Sequence, residues 1–299
     1  MFALCLGAGV LIVVTLVDVI YQLANNGHLA ISRFGLGFLV HSTWKPGFHI
    51  EGAGGLIYGT VVSSLMAVVL ATPLGIAIGL YLSMMAPRKL SAVVGPLVEM
   101  LAAVPSIIYG FWGLVVLVPF VDHLEPGLHS ALGFIPLFGT PSPTGISLFS
   151  AGIVLTVMIL PIISALSRDL FLTVPQELKD GAAALGATRW EVIRGTVLST
   201  TVSGVSAAVV LGLGRALGEA IAVSFVIGDS DVRSPSFFQP AAAIAERIAN
   251  QFPGATNALQ TSALWYAALV LVVISMLTSV AARVIAGRFD VRASLGRVV

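Results

Sequence analysis

The chain has 299 residues, 57% of them hydrophobic and 10% charged, with a mean hydropathy of +1.01 and a formal net charge of +1 at pH 7. Such an apolar excess excludes an ordinary soluble domain and marks an all-α integral membrane protein. The lone Cys5 excludes an internal disulfide and a cysteine-built metal site, and the near-neutral total identifies no partner, because basic and acidic residues are sorted by loop.

Six candidate spans follow in chain order, at about residues 2–23, 56–85, 97–121, 148–166, 202–227 and 263–285. The N-terminus is apolar from Phe2 with no basic leader, so it reads as a first span rather than a cleaved signal peptide. Asp18 interrupts that span close enough to its end to reach the interface, a structural role. The outer segment 22–55 carries His28, His41 and His49 without a metal-ligand spacing, and these read as surface residues. Pro73, Pro105 and Pro161 fall inside the second, third and fourth spans, where kinks are expected. Glu99 sits about a turn inside the third span and carries no assigned role. The loop before the fourth span holds His123, His129, Pro136, Pro141 and Pro143, a turn-rich cap with no zinc motif. Between the last two spans, PAAAIAERIANQF places Ile244, Ile248 and Phe252 on one helical face, suited to packing beneath an external partner.

Basic residues are distributed unevenly between the two sides. Arg88, Lys89, Arg168, Lys179, Arg189, Arg194, Arg283, Arg288, Arg292 and Arg297 fall on one side, and Arg33, Lys45, Arg233 and Arg247 on the other. Because Lys and Arg concentrate in cytoplasmic loops, both termini and the loop between spans four and five are expected in the cytoplasm of a multi-pass membrane protein.

That loop, residues 168–200, is a charged island of amphipathic character. Pro175 suits a first helical turn and Gly186 a left-handed stop, while Thr188 and Glu191 have capping-box spacing for a second helix. Leu178, Ala182 and Leu185 share one face of the first helix, and Trp190, Ile193 and Val197 share one face of the second. At about 1.5 Å per residue, neither helix crosses a hydrocarbon core about 30 Å thick. Two occupants of these faces remain open, lipid headgroups and a partner protein; the balanced charge favours the protein.

The fifth span contains GLGRALGEA, which puts Arg215 near mid-span with Glu219 one turn further outward. One reading is a self-neutralising pair that sets helix packing. The other is a path in which Arg215 presents a fork of donors to an oxyanion while Glu219 limits how tightly it is held. Gly214 and Gly218 permit either close helix contact or a passage beside the charge. No Walker A, GxSxG or HExxH pattern occurs, so energy must come from another subunit.

The island resembles the cytoplasmic EAA loop of ABC importer permeases, with Asp180, Gly181, Ala182, Ala183 and Gly186 at that motif's positions. Asp180 stands where that family usually has Glu, Gly181 where it has Ala, and Ser199 where Pro commonly follows Leu198. YGTVVSSLMAVVLATPLGIAIGLYLS from Tyr58, LVEMLAAVPSIIYGFWGLVVLVPF from Leu97 and GLGRALGEAIAV from Gly212 resemble the C-type permease subunit of phosphate import systems. The resemblance implies type I importer permease architecture in a single transmembrane domain, 1–299, with coupling helices at 175–198. It also implies a second, homologous permease subunit, two copies of a cytoplasmic ATPase and an external phosphate-binding protein, in a bacterial or archaeal cytoplasmic membrane. Neither a cofactor nor nucleic acid is implied. On this resemblance Arg215 and Glu219 correspond to the family's intramembrane charged pair, and Gly186 to the elbow that enters the ATPase cleft. A permease for sulfate or molybdate is the same-class alternative, since one Arg does not encode which tetrahedral anion binds. An ion-coupled secondary carrier using Arg215 and Glu219 as its relay is the alternative from another class, and a membrane enzyme lacks a nucleophile and base in the sequence.

Overall fold

A computed structural model describes residues 1–287. The basic residues Arg288, Arg292 and Arg297 and the expected domain end at 299 lie outside the described residues. Among the described residues, six helices are long and apolar enough to cross a membrane: Leu4–Asn26, Gly54–Met85, Ser106–Leu132, Leu148–Leu172, Arg189–Leu217 and Ala258–Ile285. In chain order the helices are α1 (Phe2–Asn26), α2 (His28–Phe34), α3 (Gly37–Val40), α4 (Gly54–Leu80), α5 (Arg88–Ala102), α6 (Ser106–Trp112), α7 (Val118–Leu132) and α8 (Leu148–Leu172). There follow α9 (Gln176–Ala184), α10 (Arg189–Val192), α11 (Ser199–Leu217), α12 (Ile221–Ser224), α13 (Ile244–Gln251) and α14 (Ala258–Gly287). Wide π-helical turns at Gly113–Leu117 and Ile193–Leu198 join α6 to α7 and α10 to α11 without breaking the rods.

The centre of the bundle is the pairing of α4 with α8. Along α4, Ser63, Ala67, Ala71, Gly75 and Gly79 recur every fourth residue and are all buried. This narrow strip lets the α8 backbone approach closely, as small residues do between helices in lipid, where apolar burial alone gives little drive to associate. A Cβ on Gly75 would stand 2.8 Å from Ile163 Cγ2, and one on Gly79 3.0 Å from the Arg168 amide nitrogen. Hydroxyls in this core bond backward to their own helices: Thr60 donates to the Leu56 carbonyl at 2.8 Å and Thr156 to that of Gly152 at 2.7 Å. These two hydroxyl protons therefore need no acceptor on a neighbouring helix, and the Thr60 oxygen is left to accept the Ile244 backbone N–H at 2.9 Å. Pro73 and Pro161 lie inside α4 and α8, as expected. In α1, Gln22 donates to Asp18 at 2.7 Å, which gives the acid a partner on its own helix.

Two expected spans are corrected. The third, expected at 97–121, is two helices. α5 ends at Ala102 and α6 begins at Ser106, because Pro105 offers no N–H and forces the preceding residue out of helical geometry. The Tyr109 hydroxyl donates to the freed Leu101 carbonyl at 2.7 Å, so the break leaves that acceptor satisfied. The membrane-length rod is displaced along the chain to Ser106–Leu132, and much of the expected loop is helix. The fifth span, expected at 202–227, starts earlier, at Arg189, and stops at Leu217. The second helix of the island is thus the first turns of the fifth rod, not a separate element.

One end of the bundle is closed by a polar clasp. α13 forms as the Ile244, Ile248, Phe252 pattern implies, but it packs against α14 and α4 of its own chain, with Ile244 fully buried. Arg247, only 4% exposed, bonds Asp229 at 2.7 Å and Asp231 at 2.6 Å, and its guanidinium lies 5.7 Å from the Trp44 ring centre. Trp44 in turn donates its backbone N–H to Asp231 and its indole N–H to Gln251. The clasp ties the 41–53 segment to the loop after α12. His28 and His41 engage nearby backbone carbonyls, and His49 contacts Asn257. Among the described residues, no three His, Cys, Asp or Glu side chains converge as a metal site.

Glu246, beside Arg247, is buried and accepts from the Ala243 backbone N–H and from Asn250. Desolvation first, and then the negative charge of Asp229, push its carboxyl from 4.5 up to about 7, against the opposing pull of Arg247 and these hydrogen bonds. A carboxyl raised in the folded state binds its proton more tightly there than in the unfolded chain. Its contribution to stability is therefore complete below about 4.5 and disappears as the pH rises through about 7. Amide-exchange protection at the start of α13, corrected for intrinsic exchange, should accordingly fall between about pH 5 and pH 8. In Glu246→Gln, which holds the neutral form, it should stay flat; a wild-type profile that rises with pH would contradict the assignment.

Candidate functional site

Arg215 sits in the last turn of α11, where the chain gives up its helix inside the bundle. The basic side chain complements the partial negative charge of the final carbonyls. Residues 218–220 are non-helical, and α12 then restarts with Ala222 and Val223 buried. Irregular backbone at membrane depth is tolerated where protein or a watered cavity satisfies it. Here Glu219 supplies part of that satisfaction, accepting the Ala222 backbone N–H at 3.1 Å.

Beside the break lies a groove of about 880 Å³, lined by Arg215, Gly214, Ala207, Leu211, Ser279 and Arg283 among others. Among the described residues, no acidic side chain lines it. Arg215 is half-buried, with its Nε enclosed and without a hydrogen-bond partner. Gly214 has nothing within 4 Å of where a Cβ would sit, and Gly218 meets only its own helix. These two glycines therefore leave the wall open, whereas Gly212 makes the close contact, against Ile163 and Ile159. The structure does not bring Arg215 and Glu219 together: among the described residues they form no ion pair. Helical spacing put them one turn apart, but the helix stops between them, and the carboxylate turns to the backbone of α12.

The second candidate site is the elbow between α8 and α10. Pro175 precedes the first turn of α9, and α9 ends in a Schellman motif: Gly186 N–H bonds the Ala183 carbonyl at 2.9 Å and Ala187 N–H the Ala182 carbonyl at 3.2 Å. The motif needs a left-handed residue, and Gly186 has φ +90°. Thr188 and Glu191 form the capping box that opens α10. Asp180, held by Gln176 at 2.8 Å, is exposed together with Gly181, Ala183 and Gly186, and Ala182 is half-buried. The expected apolar faces divide unequally. Ile193 and Val197 are buried, but Leu178 is 51% exposed, Trp190 60% and Leu185 91%. Three large apolar side chains thus surround an extended tip.

Glu99, left without a role by sequence, accepts from Arg168 at 2.8 Å and ties α5 to α8. Gly95 provides the room: a Cβ there would stand 2.6 Å from Arg168 Cζ. Arg283, counted in sequence only as a cytoplasmic charge, lines the same groove as Arg215. A pattern one helix long carries no sign that α14 lies against α11, so this pairing of arginines could not be read from it.

Residues 71–294 match the model of a family described as the binding-protein-dependent transport system inner membrane component. The chain belongs to this family. The permease is also 43% identical over 290 residues to the phosphate transport system permease protein PstC of Mesorhizobium japonicum, an alignment covering 95% of this chain and 88% of that one. Its identity to the protein of the same name from Xylella fastidiosa strain 9a5c is 44% over 287 residues, covering 94% and 88%. In three dimensions the permease is similar to a subunit of the inward-facing MetNI methionine ABC transporter, with TM-score 0.55 at 20% identity, over 80% of this chain and 94% of that one. A bacterial ABC transporter involved in import of the acidic polysaccharide alginate gives TM-score 0.52 at 18% identity, over 93% and 95%. The fold is that of type I ABC importer permeases, an all-α, multi-pass inner-membrane architecture.

If Glu219 holds the break by capping α12, Glu219→Ala should lose about 1 kcal/mol of local stability, the usual cost of removing a helix cap. Glu219→Gln, which keeps an acceptor oxygen, should lose much less. Amide exchange at Ala222 reads both: several-fold faster in the Ala variant and near wild type in the Gln variant. Equal acceleration in the two would show that charge, not capping, matters there.

Proposed function

We propose that this permease is one of two homologous transmembrane halves of an ATP-driven importer that moves inorganic phosphate into the cytoplasm. The other parts are a second permease subunit, two copies of a cytoplasmic ATPase and an external phosphate-binding protein. The substrate assignment is supported by relatives named for phosphate transport at 43% and 44% identity over nearly the whole chain. The observation that carries the site is the half-buried Arg215 beside a groove free of acids among the described residues, at the point where the fifth rod breaks. A phosphate dianion in a low-dielectric passage requires a fixed positive partner, and a planar guanidinium offers two parallel donors to its oxygens. Glu219 contributes to translocation by holding the break that places Arg215 at the wall. The carboxylate and the guanidinium therefore act on the path through different atoms.

On this reading both termini and the α9–α10 elbow face the cytoplasm, in accordance with the excess of basic residues on that side. Asp180, Gly181, Ala182, Ala183 and Gly186 form the tip that enters the ATPase, where the exposed Leu178, Leu185 and Trp190 find cover. ATP is hydrolysed by the partner, and this chain rocks between outward and inward access.

Radiolabelled phosphate uptake by the complete importer in proteoliposomes tests the site. Arg215→Gln should abolish uptake with the amount of complex unchanged, and Arg215→Lys should retain a minor fraction. Arg215→Gln combined with Glu219→Gln should remain inactive. Restored uptake in the double variant would make Arg215 a packing residue, and strong competition by unlabelled sulfate or molybdate would change the substrate.

The elbow is tested separately. Valine resists φ near +90°, and strain of this kind is of order 1–3 kcal/mol. Gly186→Val should leave the six rods inserted but lower binding-protein-stimulated ATP hydrolysis at least about tenfold. Normal coupling in this variant would exclude the elbow as the contact.

A further inference from the structure

Three grooves meet at one side chain. The groove of about 880 Å³ beside Arg215 includes Arg283; a second, of about 500 Å³, is lined by Arg283 with Ser275, Ser279 and Gly218; a third, of about 310 Å³, by Arg283 with Ser203, Ser206 and Gly287. Among the described residues no Asp or Glu lines any of them, and four serines do. Arg283 lies near the far end of α14, and its side chain shares the first groove with Ala207 and Val210 of α11. The third groove sets Arg283 beside Ser203 and Ser206, which precede Arg215 on α11 by about two to three turns, so contacts of Arg283 continue along the helix away from Arg215.

We propose that Arg283 is a second phosphate-binding station on the route, on the cytoplasmic side of Arg215, where the anion pauses before release. This rests on the reading of Arg215 as the first station. A single deep cation would hold a dianion in a well; a second, shallower one in the same groove lowers the climb out of it, since binding strong enough to enter must be weak enough to leave. Arg283 is solvent-exposed and Arg215 half-buried, so the second site is better solvated and the weaker of the two. Serine hydroxyls along both walls supply neutral donors between the charges, as phosphate loses water on the way. The same chemistry would accept a lipid phosphate headgroup, since an arginine near the end of a membrane helix also suits the interface. Two features favour the transported anion: Arg283 shares a groove of about 880 Å³ with Arg215, and that groove is lined by both α11 and α14.

The test uses the complete importer in proteoliposomes, with external binding protein and labelled phosphate. In Arg283→Gln the maximal uptake rate should fall about five- to tenfold, while the external phosphate concentration giving half-maximal uptake moves less than about twofold, because the entry side is untouched. Millimolar phosphate sealed inside should inhibit wild-type uptake and have little effect on Arg283→Gln; Arg283→Lys should retain part of both rate and inhibition. Unchanged rate and unchanged internal inhibition in Arg283→Gln overturn the proposal. So does a wild-type importer that loses rate and internal inhibition in purely zwitterionic vesicles, to match Arg283→Gln, since that would assign the arginine to an anionic lipid. The two readings fail separately. Uptake that survives Arg215→Gln removes the first station, whereas uptake lost in Arg215→Gln with Arg283→Gln behaving as wild type removes only the second.

Discussion

In hydrocarbon no water is available for an unpaired N–H or carbonyl, and this constraint governs where the chain breaks its helices. α1, α4, α8 and α14 satisfy their backbones almost entirely by themselves, and hydroxyls such as those of Thr60, Thr156 and Thr278 fold back onto the same helices. The two interruptions inside the bundle, at 103–105 and 218–220, each come with a side chain that covers a freed group. Tyr109 donates to Leu101 at the first and Glu219 accepts from Ala222 at the second. α6 and α12, which follow these breaks, pack on one another, with Gly110 allowing the backbone of Ala222 to approach. The breaks are therefore neighbours in space, and together they form the irregular part of an otherwise regular bundle.

The charges follow from the same geometry. A guanidinium at the end of α11 is stabilised by the final carbonyls of its own helix, which removes any need for a carboxylate beside it. Glu219, spared from neutralising Arg215, is available to cap. The groove along α11 and α14 is thus lined, among the described residues, by Arg215 and Arg283 and by no acid, the sign an anion route requires. Elsewhere the molecule neutralises its charges in structural ties. Arg168 with Glu99 holds α5 to α8, and Arg247 with Asp229 and Asp231 holds the outer segments together. Arg247 is buried inside an acid clasp, whereas the half-buried Arg215 lines a groove that holds no acid among the described residues, the difference on which the proposed route rests.

The moving parts are separated from the rigid ones. The α4–α8 seam, narrowed by Ala71, Gly75 and Gly79, is the stiff centre. The elbow projects from it with Leu185 and Trp190 uncovered, and α10 continues into α11 through a π-helical turn. The elbow is therefore joined to Arg215 through one continuous helical rod, Arg189–Leu217. That continuity links the proposed ATPase contact to the proposed path, and it depends on the second island helix being the start of the fifth rod.

Much of this was legible in the sequence, because its determinants are local. Hydrophobic run length found six membrane helices, Gly186 announced a left-handed stop, and Thr188 with Glu191 announced a cap; each rests on a few adjacent residues and a backbone preference. Run length failed where two apolar helices abut with little or no polar gap, as at Pro105 and at 218–220, where Glu219 is a single charged residue, since hydropathy is the same on both sides of such a break. Periodicity likewise placed Arg215 and Glu219 one turn apart on a helix that does not reach Glu219. Only the tertiary structure decided which charges meet. Arg168 finds Glu99, Arg247 finds Asp229 and Asp231, and Arg283 joins the groove of Arg215, because helix packing sets distances between residues far apart in the chain, and no local preference encodes them.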